Sequence, residues 1–302
     1  MIIVKLMGGL GNQMFQYAAG RNIAIRNKTA LKLDIENGFL NDFYKRKYLL
    51  NHFRIEENIA KFSDLPISLK LDYTSNSFFE RGKRYINNRI PLDGYYITKE
   101  RNLCFDSNVF IPRKKQYLIG YWQSEKYFSN ISDIIQNEFT VKYPVAGKNR
   151  EIAEIIQNSN SLCVHFRRLH GISLGVISHA AIEIHGSLGL DYYENAISFL
   201  EKQISDLKIF VFSDQPDWAR ENFKASPPTY FIDHNDDDQN YEDLRLMSLC
   251  KHQVISNSTF SWWGAWLNNN IEKIVIAPQK WFADDEMNKQ TKDLIPEKWI
   301  RL

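Results

Sequence analysis

Three short stretches in the second half of the chain carry side chains suited to gripping a nucleoside diphosphate. His165-Phe166-Arg167-Arg168-Leu169-His170-Gly171 offers two guanidinium forks and two imidazoles. Ser213-Asp214-Gln215 offers a carboxylate, and Ser256-Asn257-Ser258-Thr259-Phe260-Ser261 offers hydroxyls at the start of a helical run. Arginine meets phosphate oxygens bidentately, and hydroxyls and N–H groups at a helix start favour anions. A carboxylate accepts two hydrogen bonds from the N1–H and amino group of guanine, which adenine cannot offer, and Asp214 is assigned that part. Singly, each stretch has a plainer use: paired arginines make salt bridges, and Ser or Thr before a helix is a cap. Together they define a donor site of His165, Arg167, Arg168, Asp214, Ser258, Thr259 and Ser261.

Further groups with acid–base capacity follow the arginines: His170, His179, Glu183, His185 and Asp191. The histidines at 165, 170, 179 and 185 lack the i, i+4 helical spacing of a metal pair. Asp236-Asp237-Asp238 resembles a metal-carrying acidic motif, but in the polar run HNDDDQN a solvated turn is the simpler reading. Near the start, Gly8-Gly9-Leu10-Gly11-Asn12-Gln13 lacks the GxGxxG spacing of a dinucleotide loop. It is a weak phosphate or substrate loop, or equally a tight turn.

The elements that must position these residues are read from periodicity. Met1–Leu6 is a β-branched apolar run and predicts a strand; Met14, Phe15, Tyr17, Ala18, Ile23 and Ala24 recur at helical spacing; Thr29–Leu33 predicts the next strand. Residues 35–115 show no clear period. Beyond 150, strands over Ser161–Phe166, Lys208–Ser213, Thr229–Ile232, Gln253–Ser256 and Lys273–Ala277 alternate with helices. That alternation predicts a parallel, doubly wound sheet, with ligands at the carboxyl ends of its strands. The three stretches fall there. Trp262, Trp263 and Trp266 are read as core. Pro144 and Gly147 place the boundary near Tyr143–Lys148, giving domains 1–148 and 149–302.

The chain has 302 residues, of which 44% are hydrophobic, 25% charged and 14% aromatic, which excludes disorder and permits a substantial core. Three widely spaced cysteines, with no CxxC, argue against a disulfide framework or a structural zinc site. No run reaches the roughly 18 apolar residues of a membrane span, and the start lacks a signal peptide, so a reduced cytosolic protein is expected. A formal charge of +2 argues against nucleic acid as a partner. Residues 1–150 hold 24 Lys/Arg against 14 Asp/Glu, a net +10, and residues 151–302 hold 14 against 22, a net −8. Basic clusters at 45–47, 81–89 and 113–115, two of them beside aromatics, suit either an anionic membrane surface or plain solvation.

Gly8-Gly9-Leu10-Gly11-Asn12-Gln13-Met14-Phe15-Gln16-Tyr17-Ala18 resembles the opening signature of the bacterial and animal α-1,2-fucosyltransferases, glycosyltransferase family 11. The resemblance continues at His165-Phe166-Arg167-Arg168, Leu190-Asp191-Tyr192-Tyr193, Phe212-Ser213-Asp214, Asp243–Ser248 and Ser256–Trp266, essentially end to end. It implies an α/β, GT-B-type fold of two Rossmann-like domains facing a cleft, the first on the acceptor side and the second binding the nucleotide sugar. It also implies GDP-fucose as donor substrate, no cofactor or metal, and an inverting transfer to O2 of a terminal galactose. The acceptor would be a polysaccharide or oligosaccharide glycan, including a lipid-linked one, met at the inner face of a membrane. Arg167 would hold the diphosphate in a single displacement. Asn12 and Gln13 would position acceptor or sugar, with Glu183, His185 and Asp191 as further candidates. The family reads Gly-Asp-Tyr where this chain has Leu169-His170-Gly171. His170 thus stands where the family carries Asp and is the candidate base. The departure leaves three alternatives: another linkage, another sugar donor, or a sugar-nucleotide-binding module without catalysis.

Overall fold

The computed structural model describes residues 1–67, 69, 93–168, 172–173, 176–177 and 179–302. The chain divides into two compact units, Met1–Thr140 and Val141–Leu302.

In the first unit, β1 (Ile2–Lys5) leads through the Gly8-Gly9 turn into α1 (Leu10–Arg26), then β2 (Leu31–Asp34). Two later strands, β3 (Tyr95–Lys99) and β4 (Lys115–Ile119), complete a parallel sheet of order β2-β1-β4-β3. β3 went unread in the sequence because it is an edge strand that buries only Tyr95 fully. α1 is buried along nearly its whole length, so its polar residues find partners inside the fold. Gln16 exchanges hydrogen bonds with the backbone of Met7, donating at 3.2 Å and accepting at 2.9 Å. Asn22 donates to the carbonyl of Tyr127 at 2.7 Å. Helix α2 (Ser132–Glu138) is tied back to α1 by Glu138, which accepts from Tyr17 Oη at 2.7 Å and pairs with Arg21 at 2.9 Å. Exposed Lys45 and Lys47 flank Arg46, whose guanidinium lies 3.9 Å over the Tyr44 ring. The cluster at 81–89, with Phe78, Phe79 and Tyr85, lies outside the described residues.

In the second unit, α3 (Gly147–Gln157) precedes β5 (Asn160–Phe166). A short antiparallel pair, β6 (Ile172–Ser173) with β7 (Val176–Ile177), and helix α4 (His179–His185) occupy the stretch expected to be loop. Then come α5 (Leu190–Glu201), β8 (Leu207–Ser213), α6 (Pro216–Asn222), β9 (Thr229–Ile232) and α7 (Asn240–Leu249). β10 (His252–Val254), α8 (Thr259–Leu267), β11 (Val275–Ala277), α9 (Asp285–Lys289) and β12 (Ile300–Arg301) close the chain. The strands form a parallel sheet of order β12-β11-β10-β5-β8-β9.

Alternation along β5 and β8 explains why both faces are covered. Leu162, Val164, Phe166, Ile209 and Val211 pack with Tyr193, Ile197 and Leu200 of α5. Cys163, Phe210 and Phe212 point the other way, onto Ile156 of α3 and Leu246 and Met247 of α7. A strand buried on both sides is the mark of a doubly wound sheet. Trp262 and Trp263 are fully buried and Trp266 nearly so, with Trp262 Nε1 donating to the carbonyl of Leu294 at 2.9 Å. The division between Thr140 and Val141 comes ahead of the expected 148/149 boundary. The reason is packing: Val145 lies against the core of the second unit, and Arg245 donates to the carbonyl of Tyr143 at 2.8 Å.

Removing Glu138 takes away the acceptor of Tyr17 Oη and one of the two carboxylates on Arg21, which keeps Glu56 at 2.6 Å, at a cost of about 2 kcal/mol. Glu138→Ala should therefore destabilise the first unit by about that amount in urea denaturation, and a loss under about 1 kcal/mol would contradict the packing described.

Candidate active site

β5 lies between β10 and β8, so the loops leaving these three strands are neighbours at one sheet edge. Side chains join them. At the end of β5, His165 is 5% exposed, and its Nδ1 lies 2.8 Å from Ser256 Oγ beyond β10. Ser256 Oγ lies 3.5 Å from Ser261 Oγ, which donates to the carbonyl of Ser258 at 3.2 Å. Burial pushes the imidazole of His165 down to about 4, with the charge of Arg167 lowering it further and Asp214 opposing. His165 is thus neutral near pH 7. With Ser256 and Ser261 it clamps the end of β5 to the start of α8.

On the other side, Asp214 beyond β8 takes both arginines. Its Oδ1 accepts the backbone N–H of Arg168 at 2.9 Å, and its Oδ2 meets Arg167 Nη1 at 3.0 Å. Asp214, assigned to the guanine edge from its residue type, holds both arginines in this structure. The Arg167 side chain remains one-third exposed, while the Arg168 guanidinium lies 4.0 Å over the Trp218 ring. Ser258 is the N-cap of α8, its Oγ accepting from the N–H of Phe260 at 3.3 Å, and half-buried Thr259 is the first helical residue. A partly exposed guanidinium thus shares a sheet edge with a helix N-terminus and its hydroxyls, an arrangement whose chemistry suits an anionic group.

Two supports of this edge escaped the sequence reading. Asn257 is buried and donates to the carbonyls of His185 at 2.9 Å and Trp281 at 3.2 Å, tying the end of α4 to the β10 loop. Tyr192 Oη donates to the carbonyl of Ile255 at 2.8 Å and approaches that of Ile276 at 3.2 Å, strapping two strand ends. The Asn in SNST and the Tyr pair at 192–193 were the available signals. His185 is therefore brought beside the edge, its ring 5.4 Å from that of Phe282. Glu183 is exposed on α4, and Asp191 is exposed in the first turn of α5, folded against Gly189. His170, with Leu169 and Gly171, lies outside the described residues. Asp236 forms a turn, its Oδ1 accepting from the N–H groups of Asp238 and Gln239, both at 3.0 Å.

In the first unit, Asn12 Oδ1 accepts from Gln123 Nε2 at 2.9 Å. Gln13 turns inward beside it. It is fully buried, donates to the carbonyls of Gly8 and Lys47, and accepts from the N–H of Leu49, each at 2.9 Å. Its amide holds the 47–49 segment against the glycine turn and so shapes that edge.

The family model described as "Glycosyl transferase family 11" matches residues 1–302. The chain belongs to this family. It is 32% identical to an Escherichia coli α-1,2-colitosyltransferase over 100% of this chain and 98% of that one. It is 33% identical to the E. coli O-antigen biosynthesis glycosyltransferase WbnK over 98% and 99%. Among solved structures it resembles Arabidopsis thaliana FUT1, a mutant in complex with GDP, with a TM-score of 0.51, 11% identity, and 98% of this chain and 74% of that one covered. That likeness supports the GT-B class of α/β fold. A family 11 chain is a glycosyltransferase. No helix among the described residues is long and apolar enough to cross a membrane.

The state of His165 has a measurable consequence. A folded-state value near 4 against about 6.5 unfolded means that the unfolded chain binds the extra proton between those pH values. Stability is therefore lost as pH falls from about 6.5 towards 4, by up to about 3 kcal/mol. Urea melts at pH 7 and pH 4.5 should differ less for His165→Gln than for the parent; equal differences would contradict a buried neutral imidazole.

Proposed function

We propose that this chain is an inverting fucosyltransferase that moves L-fucose from GDP-fucose to O2 of a terminal galactose on a polysaccharide or oligosaccharide acceptor. The observation that carries the proposal is Arg167, held by Asp214 at 3.0 Å yet still partly exposed beside the N-terminus of α8. The acceptor oxygen attacks the anomeric carbon as the bond to the β-phosphate breaks. Arg167 and the Ser258–Thr259 helix start stabilise the charge that grows on departing GDP. A base takes the proton of the hydroxyl: His170 by its place in the motif, or His185, whose segment Asn257 anchors at the same edge. No divalent ion is required, because this set meets the phosphate charge. Asn12 in the first unit positions the acceptor. A lipid-linked acceptor at the inner face of a membrane suits the net +10 of residues 1–150.

A relative named for α-1,2-colitose transfer supports the 1,2 linkage and favours a second reading, in which colitose replaces fucose. Incubation with GDP-fucose and GDP-colitose against a panel of galactosides, with linkage read by NMR, tests both. An α-1,2 fucosylated product is expected. Preference for GDP-colitose would select the second reading, and transfer from neither would overturn both. Activity should persist in EDTA; a large loss restored by Mn²⁺ would contradict the metal-free mechanism. Arg167→Ala should cut turnover at least about a hundredfold, the scale of losing one oxyanion donor, and near-normal turnover would move the diphosphate elsewhere.

A further inference from the structure

At the carboxyl edge of the first unit, the turn after β4 adopts a backbone that an unrestrained chain avoids. Trp122 has φ of 56°, in the left-handed region that bulky residues rarely occupy. Its indole is buried and packs edge-on against Tyr127 at 5.4 Å. Glu100, directly after β3, compensates for the strain. Its Oε2 accepts the N–H of Tyr121 at 2.7 Å and its Oε1 that of Trp122 at 2.9 Å, a bidentate, charge-assisted grip. The N–H of Ser124 closes the turn on the carbonyl of Trp122 at 2.8 Å. Gly120 allows the approach, because a Cβ there would overlap Glu100.

The strained turn aims one polar group. Gln123, 8% exposed, donates from Nε2 to Asn12 Oδ1 at 2.9 Å. That bond fixes the rotation of the Asn12 amide. Its oxygen faces Gln123 and its Nδ2 lies over Gly8, so close that a Cβ on Gly8 would sit 2.6 Å away. Gly8 itself has φ of +77°. Two unusual backbones, a half-buried carboxylate and a buried amide thus converge on the orientation of one asparagine. Strain held in place by its surroundings clusters at functional sites, and a plain turn would have ended β4 without it.

We propose that Glu100 and Gln123 are positioning residues for the acceptor: Glu100 holds the Tyr121–Gln123 turn, and Gln123 orients the Asn12 amide towards the acceptor sugar. The inference rests on the reading that the first unit binds the acceptor through Asn12. Glu100→Gln and Gln123→Met should each raise the acceptor KM about tenfold or more, the loss of one well-made hydrogen bond. GDP affinity, read by calorimetry, should change less than about twofold. Gln123→Met should add nothing further on an Asn12→Ala background, because Gln123 acts through Asn12. Thermal melts separate lost positioning from lost folding. If Glu100→Gln does not fold, Gln123→Met, which keeps the turn, carries the test. An unchanged KM in Gln123→Met, or additive effects with Asn12→Ala, would overturn the inference while leaving the acceptor reading intact. An unchanged KM in Asn12→Ala would overturn the acceptor reading and the inference with it.

Discussion

Two adjacent arginines at the end of a strand repel each other, and left alone they would turn into water. Asp214 prevents this. One oxygen holds the backbone of Arg168 and the other the guanidinium of Arg167, so the next strand of the sheet determines where the cationic fork points. A partly exposed ion pair of this kind contributes about 1 kcal/mol or less to stability. Its importance is geometric. The doubly wound sheet places β8 beside β5, the carboxylate converts that adjacency into a fixed guanidinium, and His165 fixes the opposite flank through Ser256. One sheet edge acquires a rigid cation and a capped helix start, and the electrostatic work is done before any substrate arrives.

The same logic runs through the first unit with neutral groups. Gln13 closes the 47–49 segment over the glycine turn, and Gln123 fixes Asn12. Buried amides with well-made hydrogen bonds specify a single arrangement, since any other leaves polar atoms unpaired. That explains why polar residues recur inside α1, where periodicity alone predicts apolar ones.

The inner strands of the second unit were legible because they are buried on both faces and therefore read as largely apolar runs with turn residues between them, whereas the two-residue, half-buried β12 was not. The residues grouped at the sheet edge were legible because the topology of such sheets dictates where strand ends meet. What stayed hidden were matters of partner choice. Nothing in the type of Asp214 tells that it holds two arginines; that follows from the pairing of β8 with β5. Gln13 stands beside Asn12 in the sequence, yet it turns inward while Asn12 stays half-buried. β3 lacks a pattern because it pairs on one side only, and Glu100 gains its meaning from β4, reached through a long intervening stretch. The packing of Val145 against a later core is likewise invisible to a boundary drawn from Pro144 and Gly147.

The carboxyl edge of β5, β8 and β10 is where we place the diphosphate. A crystal structure of the chain with GDP tests it most directly. Phosphate oxygens are expected within about 3 Å of the Arg167 guanidinium and of the donors at the start of α8, with Asp214 still holding the backbone of Arg168. GDP bound away from Arg167, or with its phosphates turned from the helix start, would contradict it.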